Sequence, residues 1–185
     1  MTFYPDEAPV PTALHSEEFL LRPLRAGDVE LDYEAVMATH EALRRGSGGV
    51  WPRPDFTLAE NLADLQEHEA DFHARRGFTY TVMDPTETRC LGCVYAYPPR
   101  DEGDGRYGDY ETVVWFWVRP DCVAADLDRR LLAALVPWLR GDFAFSRVLF
   151  RAWAHDERQT AIFSEAGLRV VDTRPVRDTQ ALLFA

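Results

Sequence analysis

The chain has 185 residues, 46% of them hydrophobic, and a net charge of −11, with arginine supplying all 20 basic side chains. This size predicts a single domain, and the acidic charge disfavours nucleic acid and anionic lipid, which attract clustered positive charge. No apolar run is long enough for a membrane span. Because the first residues lack a basic start and an apolar stretch, we expect a cytoplasmic protein.

Residues 1–18 contain three prolines and acidic side chains, which predict an extended N-terminal arm before a domain of residues 19–185. Hydrophobic periodicity, capping residues and turn residues predict the elements of the domain. In chain order they are a strand at 19–24, helices at 29–45 and 57–76, strands at 78–83, 89–97 and 110–118, a helix at 126–140, a strand at 147–153, a helix at 156–166, and strands at 168–172 and 180–184. The order βααβββαβαββ predicts an α/β fold in which a mixed sheet packs against helices.

Two segments of this order have an unusual composition. Segment 98–109 holds adjacent prolines and three glycines, which predict a mobile loop. The strand at 110–118 is apolar on both faces after Thr112. We therefore expect this strand to be central in the sheet and covered on both sides.

The cysteines and histidines do not match a metal motif. Cys90 and Cys93 have C-x-x-C spacing, but residues three apart on a regular strand face opposite sides, so we expect no shared metal or redox pair. His68 and His73 are five residues apart on a helix, which separates their rings by about 140°. Both are expected to be solvated, and the sequence predicts no metal site.

Four segments resemble the GCN5-related N-acetyltransferase (GNAT) superfamily, in the right order and spacing from about Phe19 to the C-terminus. They are Leu21-Arg22-Pro23-Leu24 with Gly27-Asp28, the run Cys90-Leu91-Gly92-Cys93-Val94, the run Val118-Arg119-Pro120-Asp121 leading to Leu131-Leu132, and Ala161-Ile162-Phe163-Ser164-Glu165-Ala166-Gly167-Leu168. They resemble the family's first strand and turn, its third strand, its acyl-CoA motif, and its last helix with the following glycine. The resemblance implies that the fourth and fifth strands splay around acetyl-CoA, the acyl donor.

The resemblance also implies that backbone N–H groups at the start of the third helix bind the pyrophosphate, and that an N–H of the fourth strand polarises the thioester. The matching positions are the expected cofactor site: Trp117, Val118, Arg119, Ala124, Ala125, Asp126, Leu127, Asp128 and Arg129, with Asp156 and Phe163 from the last helix.

Two of these positions depart from the family pattern, because Asp126 and Asp128 stand where it has small residues. At ~5 Å and an effective dielectric of about 20, a carboxylate facing a phosphate weakens binding by about two orders of magnitude. Alternatively, the aspartates cap the first helical turn, and neighbouring arginines such as Arg119, Arg129 and Arg130 turn toward the phosphates.

The positions for proton transfer also differ from the family. Phe163 replaces a tyrosine that commonly acts as the acid, so water or Tyr110 would take that role. Glu111 is the candidate base by position, and the alternative is an exposed charge at the edge of the strand. Trp51 and Phe56 lie in the link between the first two helices, where they either form an acceptor wall or attach the link to the core.

Two functions remain open at this point. The first is an acyl-CoA-dependent N-acyltransferase that acetylates a primary amine on a small molecule or peptide, with a degenerate pyrophosphate turn. The second is a noncatalytic module of the same fold that binds another ligand or a second copy of the chain, as a homodimer. Fold resemblance favours the first by analogy.

Overall fold

The structure is a computed structural model that describes residues 3–99, 109–177 and 179–185. The strands are β1 (Leu14–His15), β2 (Leu20–Pro23), β3 (Phe78–Met83), β4 (Cys90–Tyr97), β5 (Thr112–Val118), β6 (Val148–Trp153), β7 (Val170–Val176) and β8 (Thr179–Phe184). The helices are α1 (Val29–Ala38), α2 (His40–Gly46), α3 (Leu58–His73), α4 (Pro120–Ala124), α5 (Leu127–Gly141) and α6 (Glu157–Glu165), with a 3-10 turn at Ala26–Asp28 before α1. Most of the predicted loop 98–109 lies outside the described residues.

The predicted α/β fold is confirmed, with local differences in the elements. The helix predicted at 29–45 is divided into α1 and α2 at Thr39, whose hydroxyl donates to the carbonyl of Ala35 at 2.9 Å. This side-chain bond competes with the regular helical ladder. The short helix α4 precedes α5, and the N-terminal arm contributes β1, which pairs with β2.

One mixed sheet has the strand order β1-β2-β3-β4-β5-β6-β8-β7, so β5 is central as predicted. Neighbouring strands in the sheet are antiparallel, except that β5 and β6 run parallel. This parallel pair extends only from Thr112 opposite Val148 to Val114 opposite Phe150, whereas β5 continues to Val118 and β6 to Trp153. The two strands therefore diverge, and a gap opens at their C-terminal ends.

Helices cover both faces of the sheet and divide the residues of β5 between them. Val114, Phe116 and Val118 are buried in the main core with α5 and α6. Trp117 packs on the other face, against clusters that include residues of α1 and α3. On that face Trp115 is half-buried; its ring stacks on Tyr95 at 5.1 Å. The strand is thus central, with a more open face on the side of α1 and α3.

The N-terminal arm packs into the core. Tyr4 is 1% exposed, and its ring contacts Phe78, Phe143 and Phe145. Its hydroxyl accepts a hydrogen bond from the backbone N–H of Ala144 at 2.8 Å. These contacts join the arm to β3 and to the segment after α5 through a cluster of aromatic rings.

Glycine is required at position 92, where β4 and β5 approach closely. A Cβ at this position would lie 2.1 Å from the carbonyl oxygen of Trp117 and 2.8 Å from the Cα of Val118. Both neighbours are backbone atoms, so no rotamer change relieves the overlap. The central glycine of the predicted strand therefore sets the position of the C-terminal half of β5.

A β-bulge next to Gly92 changes the faces of the two cysteines. In the pairing with β3, Val82 is opposite Gly92 but Met83 is opposite Cys90, so Leu91 is the extra residue. The bulge places Cys90 and Cys93 on the same side of the sheet, facing α1. The expectation that they face opposite sides is wrong, because it assumed a regular strand.

None of the helices in the described ranges has the combination of length and apolar character needed to cross a membrane.

Candidate functional site

The gap between β5 and β6 exposes backbone groups of β5. Alternate residues of a strand direct these groups to opposite neighbours. The N–H of Arg119 bonds to Leu91 on the β4 side, so Phe116 and Val118 direct their groups toward the gap. Trp117 directs its backbone groups toward β4. Of the two strand residues in the expected cofactor site, Trp117 and Val118, only Val118 therefore directs its N–H toward the gap.

A side chain of α6 reaches into this gap. The Nε2 of Gln159 donates to the carbonyl of Phe116 at 3.1 Å, just beyond the last residue pair of β5 and β6. The bond satisfies a strand carbonyl that no residue of β6 reaches. A ligand that pairs with β5 at this point would compete with Gln159.

The turn before α5 has the backbone conformation of a glycine-containing turn. Asp126, which precedes the first residue of α5, has φ of +60°, in the left-handed region. Aspartate is among the non-glycine residues that occupy this region most readily. The backbone at this position therefore has a conformation that a glycine would also adopt. Unlike a glycine turn, it carries two carboxylates beside the first turn of α5.

Arg158 of α6 joins these carboxylates. Its guanidinium donates to Asp126 at 2.7 Å and to both oxygens of Asp128 at 2.6 and 2.8 Å. The hydrogen bond from Arg158 holds the pKa of Asp126 below its usual value. The side chain of Asp128 is only 8% exposed, and it also accepts the N–H of Arg129 at 3.0 Å. The three residues, which we call the carboxylate clamp, occupy the position predicted for the pyrophosphate.

The other arginines near the turn have partners elsewhere. Arg119 forms a two-point ion pair with Glu34 of α1, and Arg129 pairs with Glu165 of α6. Arg130 pairs with Glu18. The alternative in which these arginines turn toward the phosphates is not the arrangement in the structure. The remaining expected cofactor residues, Ala124, Ala125 and Leu127, form the backbone between α4 and α5.

The two predicted positions in the last helix have structural contacts. Phe163 is 0% exposed, and its ring lies between those of Phe116, Phe150 and Phe184. It therefore fills the space beneath the diverging strands with an apolar ring. Asp156 precedes α6 and accepts the N–H of Gln159 at 2.9 Å, as a helix cap does.

The candidate base lies at the opposite, paired end of β5. The carboxylate of Glu111 is exposed and accepts the backbone N–H groups of Ser146 and, at 3.1 Å, Arg147. Next to it, the guanidinium of Arg147 lies over the ring of Tyr110, 4.5 Å from the centroid. Glu111 and its sequence neighbour Tyr110 thus both contact the segment before β6, at a distance along the strand from the carboxylate clamp.

Trp51 and Phe56 attach the link after α2 to the helices. The indole N–H of Trp51 donates to Asp64 of α3 at 3.0 Å, and its ring contacts that of Phe56. Phe56 is buried, and its carbonyl accepts the hydroxyl of Tyr33 at 2.9 Å. Of the two roles considered for Trp51 and Phe56, an acceptor wall or attachment of the link to the core, these contacts correspond to the second.

The sequence interpretation missed His68. Its Nδ1 lies 2.8 Å from the hydroxyl of Tyr97 and 3.2 Å from that of Thr79. Burial lowers the pKa of His68 and raises that of Tyr97 to about 12. The expectation of a solvated ring is wrong here, because α3 turns this position toward β3 and β4. Tyr97 also contacts the ring of Trp115, so His68 borders the more open face of β5.

Solved structures with the same architecture cover nearly the whole chain. A ribosomal-protein-S5-alanine acetyltransferase from Vibrio fischeri matches with a TM-score of 0.73 at 12% identity, over 94% of this chain and 95% of that one. A GNAT-family acetyltransferase from Bacillus anthracis matches with a TM-score of 0.70 at 10% identity, over 94% and 96%. The microcin C7 self-immunity acetyltransferase MccE, in complex with acetyl-CoA and AMP, matches with a TM-score of 0.73 at 8% identity, over 97% and 98%.

No protein-family model matches the chain, and no curated protein matches its sequence. At these identities the structural matches establish the fold. They confirm that the chain folds as the GNAT acetyltransferases do, as the four sequence segments predict.

Proposed function

We propose that this chain, with its GNAT fold, is an acyl-CoA-dependent N-acyltransferase that transfers an acetyl group to an amine. The observation that carries the proposal is the gap between β5 and β6. Beyond Val114 no residue of β6 pairs with β5, so the backbone groups on that side are open to a ligand. The backbone N–H of Val118, which is directed toward this gap, would stabilise the negative charge that develops on the thioester oxygen.

The proposed reaction is direct attack by the amine on the thioester. The nitrogen bonds to the carbonyl carbon, the carbon–sulfur bond breaks, and CoA leaves as a thiolate. Glu111 lies before the start of β5 and Val118 at its end, roughly 23 Å apart along an extended strand, so Glu111 accepts the proton that the amine loses through a chain of waters. Tyr110 or a water returns a proton to the thiolate. The acceptor is a small-molecule or peptide amine that approaches from the side of Trp51 and Phe56.

The carboxylate clamp gives this proposed enzyme weak affinity for the pyrophosphate. Asp126 and Asp128 carry two negative charges and Arg158 one positive charge, so the cluster that would face the phosphates is negative overall. Because donor binding is weak, the thioester would be held mainly through the pantetheine arm in the gap.

The experiment is acetyl transfer from acetyl-CoA to a panel of amines, followed by thiol release and by mass spectrometry of the acetylated amine. The rate should rise with pH through an apparent pKa, and Glu111→Gln should lower kcat by ~10². His68→Asn is the comparison variant, because the imidazole of His68 is an alternative base that borders the more open face of β5. Loss of activity in this variant alone would reassign the base and keep the enzyme.

A second function is favoured by a specific observation, which is that the chain's own side chains fill the expected donor site. Arg158 bonds the aspartates of the expected phosphate turn, Gln159 bonds a strand carbonyl in the gap, and Phe163 offers no proton. This set fits a noncatalytic module of the same fold. Equal background rates for the parent, Glu111→Gln and His68→Asn, together with no binding of acetyl-CoA, would reject the enzyme and select the module.

A further inference from the structure

A group of potential metal ligands lies between the sheet and α1, separate from the proposed acyl site. Asp32 of α1 and Cys90 and Cys93 of β4 are 3%, 0% and 1% exposed. One ligand atom from each lies within 4.8 Å of the other two. The β-bulge at Leu91 creates the group, because it places both sulfur atoms on the side of the sheet that faces α1.

The carboxylate of Asp32 is buried, and its hydrogen-bond partners are neutral groups. In the described part of the chain, Asn61 Nδ2 contacts one oxygen at 2.9 Å and the Cys93 thiol contacts the other at 3.5 Å. No ion pair with a basic side chain is formed by Asp32 in these ranges. A bare carboxylate is disfavoured at a buried position that lacks a positively charged partner. Such a group requires either a proton or a cation.

We propose that Asp32, Cys90 and Cys93 bind a divalent metal ion of the zinc type. Two thiolates and one carboxylate are ligands that zinc accepts, and thiolates favour it over magnesium or calcium. A tetrahedral zinc with bonds of about 2.3 Å to sulfur and about 2.0 Å to oxygen separates these atoms by roughly 3.5 Å. The 3.5 Å from Cys93 Sγ to Asp32 Oδ1 already equals this separation.

Asn61 of α3 supports the same site. It is 1% exposed, and its amide nitrogen holds the second carboxylate oxygen of Asp32, which leaves the first oxygen directed toward Cys93. Hydrogen bonds of this kind orient metal-bound carboxylates. Its Oδ1 is buried and has no hydrogen-bond partner among the described residues. This oxygen is the fourth ligand that we assign to the site.

The metal would join three elements, since Asp32 lies on α1, Asn61 on α3, and both cysteines on β4. Binding replaces the thiol protons, which are released to solvent as the sulfur atoms become thiolates. Because metal binding releases these protons, we expect it to be tighter at higher pH. A metal at this place stabilises the folded state because the unfolded chain does not hold these ligands together.

The test is titration of the chelator-treated full chain with Co²⁺, followed by displacement with Zn²⁺. We expect one equivalent of cobalt to produce a thiolate-to-cobalt charge-transfer band and to raise the melting temperature. Cys93→Ser and Cys90→Ser should each weaken the band, because each leaves a single thiolate in the group. Cys122→Ser is the matched control and should keep it, because Cys122 is also a buried free cysteine but lies outside the group.

Asp32→Asn keeps the shape of the side chain while removing its charge, and we expect it to weaken cobalt binding at least tenfold. The parent titration requires no substitution, so it decides the question even where a serine variant does not fold. A parent chain with no charge-transfer band and no change in melting temperature would overturn the proposal. A band of equal intensity in a folded Cys93→Ser variant would also overturn it.

Discussion

Changing both Asp126 and Asp128 to glycine should strengthen the binding of acetyl-CoA. The substitution is compatible with the backbone at Asp126, since its φ of +60° is a conformation that glycine adopts freely. It also releases Arg158, which donates to both carboxylates. The clamp then changes from a net charge of −1 to +1 at the turn where the pyrophosphate is expected.

The size of the effect follows from the charges and the geometry. At ~5 Å and an effective dielectric of about 20, one unpaired carboxylate facing a phosphate charge weakens binding by roughly a hundredfold. Arg158 already offsets one of the two carboxylates, and its own side chain is 40% exposed and therefore screened by solvent. We therefore expect the glycine pair to strengthen binding by at least tenfold, and by up to about a hundredfold.

Calorimetry with two donors separates charge from other effects. Acetyl-pantetheine has no pyrophosphate, so its affinity should be equal for the parent and the glycine pair. Replacing both aspartates with asparagine is the matched control, because it removes the charges but keeps the side-chain shape. Micromolar binding of acetyl-CoA by the parent that does not change in the glycine pair would refute the reasoning. Equal gains for both donors would show that shape, and not charge, limits binding.

Two further predictions concern stability. Gly92→Ala should lower the free energy of unfolding by about 3 kcal/mol, because the new Cβ overlaps backbone atoms of Trp117 and Val118. Urea unfolding measures the loss, and an equal, small effect in the control Gly27→Ala, which has open space around it, would contradict the argument. The lowered pKa of His68 should make the fold less stable as the pH falls below about 6.5, because protons then bind the unfolded chain first. Thermal melts of the parent and His68→Asn should converge on acidification, and a constant difference between them would contradict this assignment.

The order of the elements could be predicted because it depends on local patterns. Apolar residues repeat with helical spacing along α5, and turn residues separate the apolar runs of β3 and β4. Short windows of sequence are therefore sufficient to identify these elements. The division between the two helices at Thr39 was missed because it is a change in the backbone angles of one residue, with φ of −108° and ψ of 4°, which hydrophobic periodicity does not show. Threonine is common enough inside helices that its presence alone does not mark a break.

The site was less predictable because its contacts join distant parts of the chain. Asp126 and Asp128 could be identified because they depart from the family pattern. Their partner Arg158 lies 32 and 30 residues away and matches no motif. The grouping of Cys90 and Cys93 depends on a bulge that periodicity does not reveal. His68 has a helical position typical of a solvated residue, and only the packing of α3 on the sheet buries it.

The position of Tyr4 has a consequence for how the protein is made. A ribosome releases Tyr4 before Ala144, whose N–H bonds to the Tyr4 hydroxyl and which follows 140 residues later. The ring of Tyr4 therefore has no complete binding place until most of the domain has been synthesised. Closing so long a loop is slow and costs chain entropy. We expect the arm to dock late, leaving Phe78 and Phe145 accessible to chaperones on the nascent chain until it does.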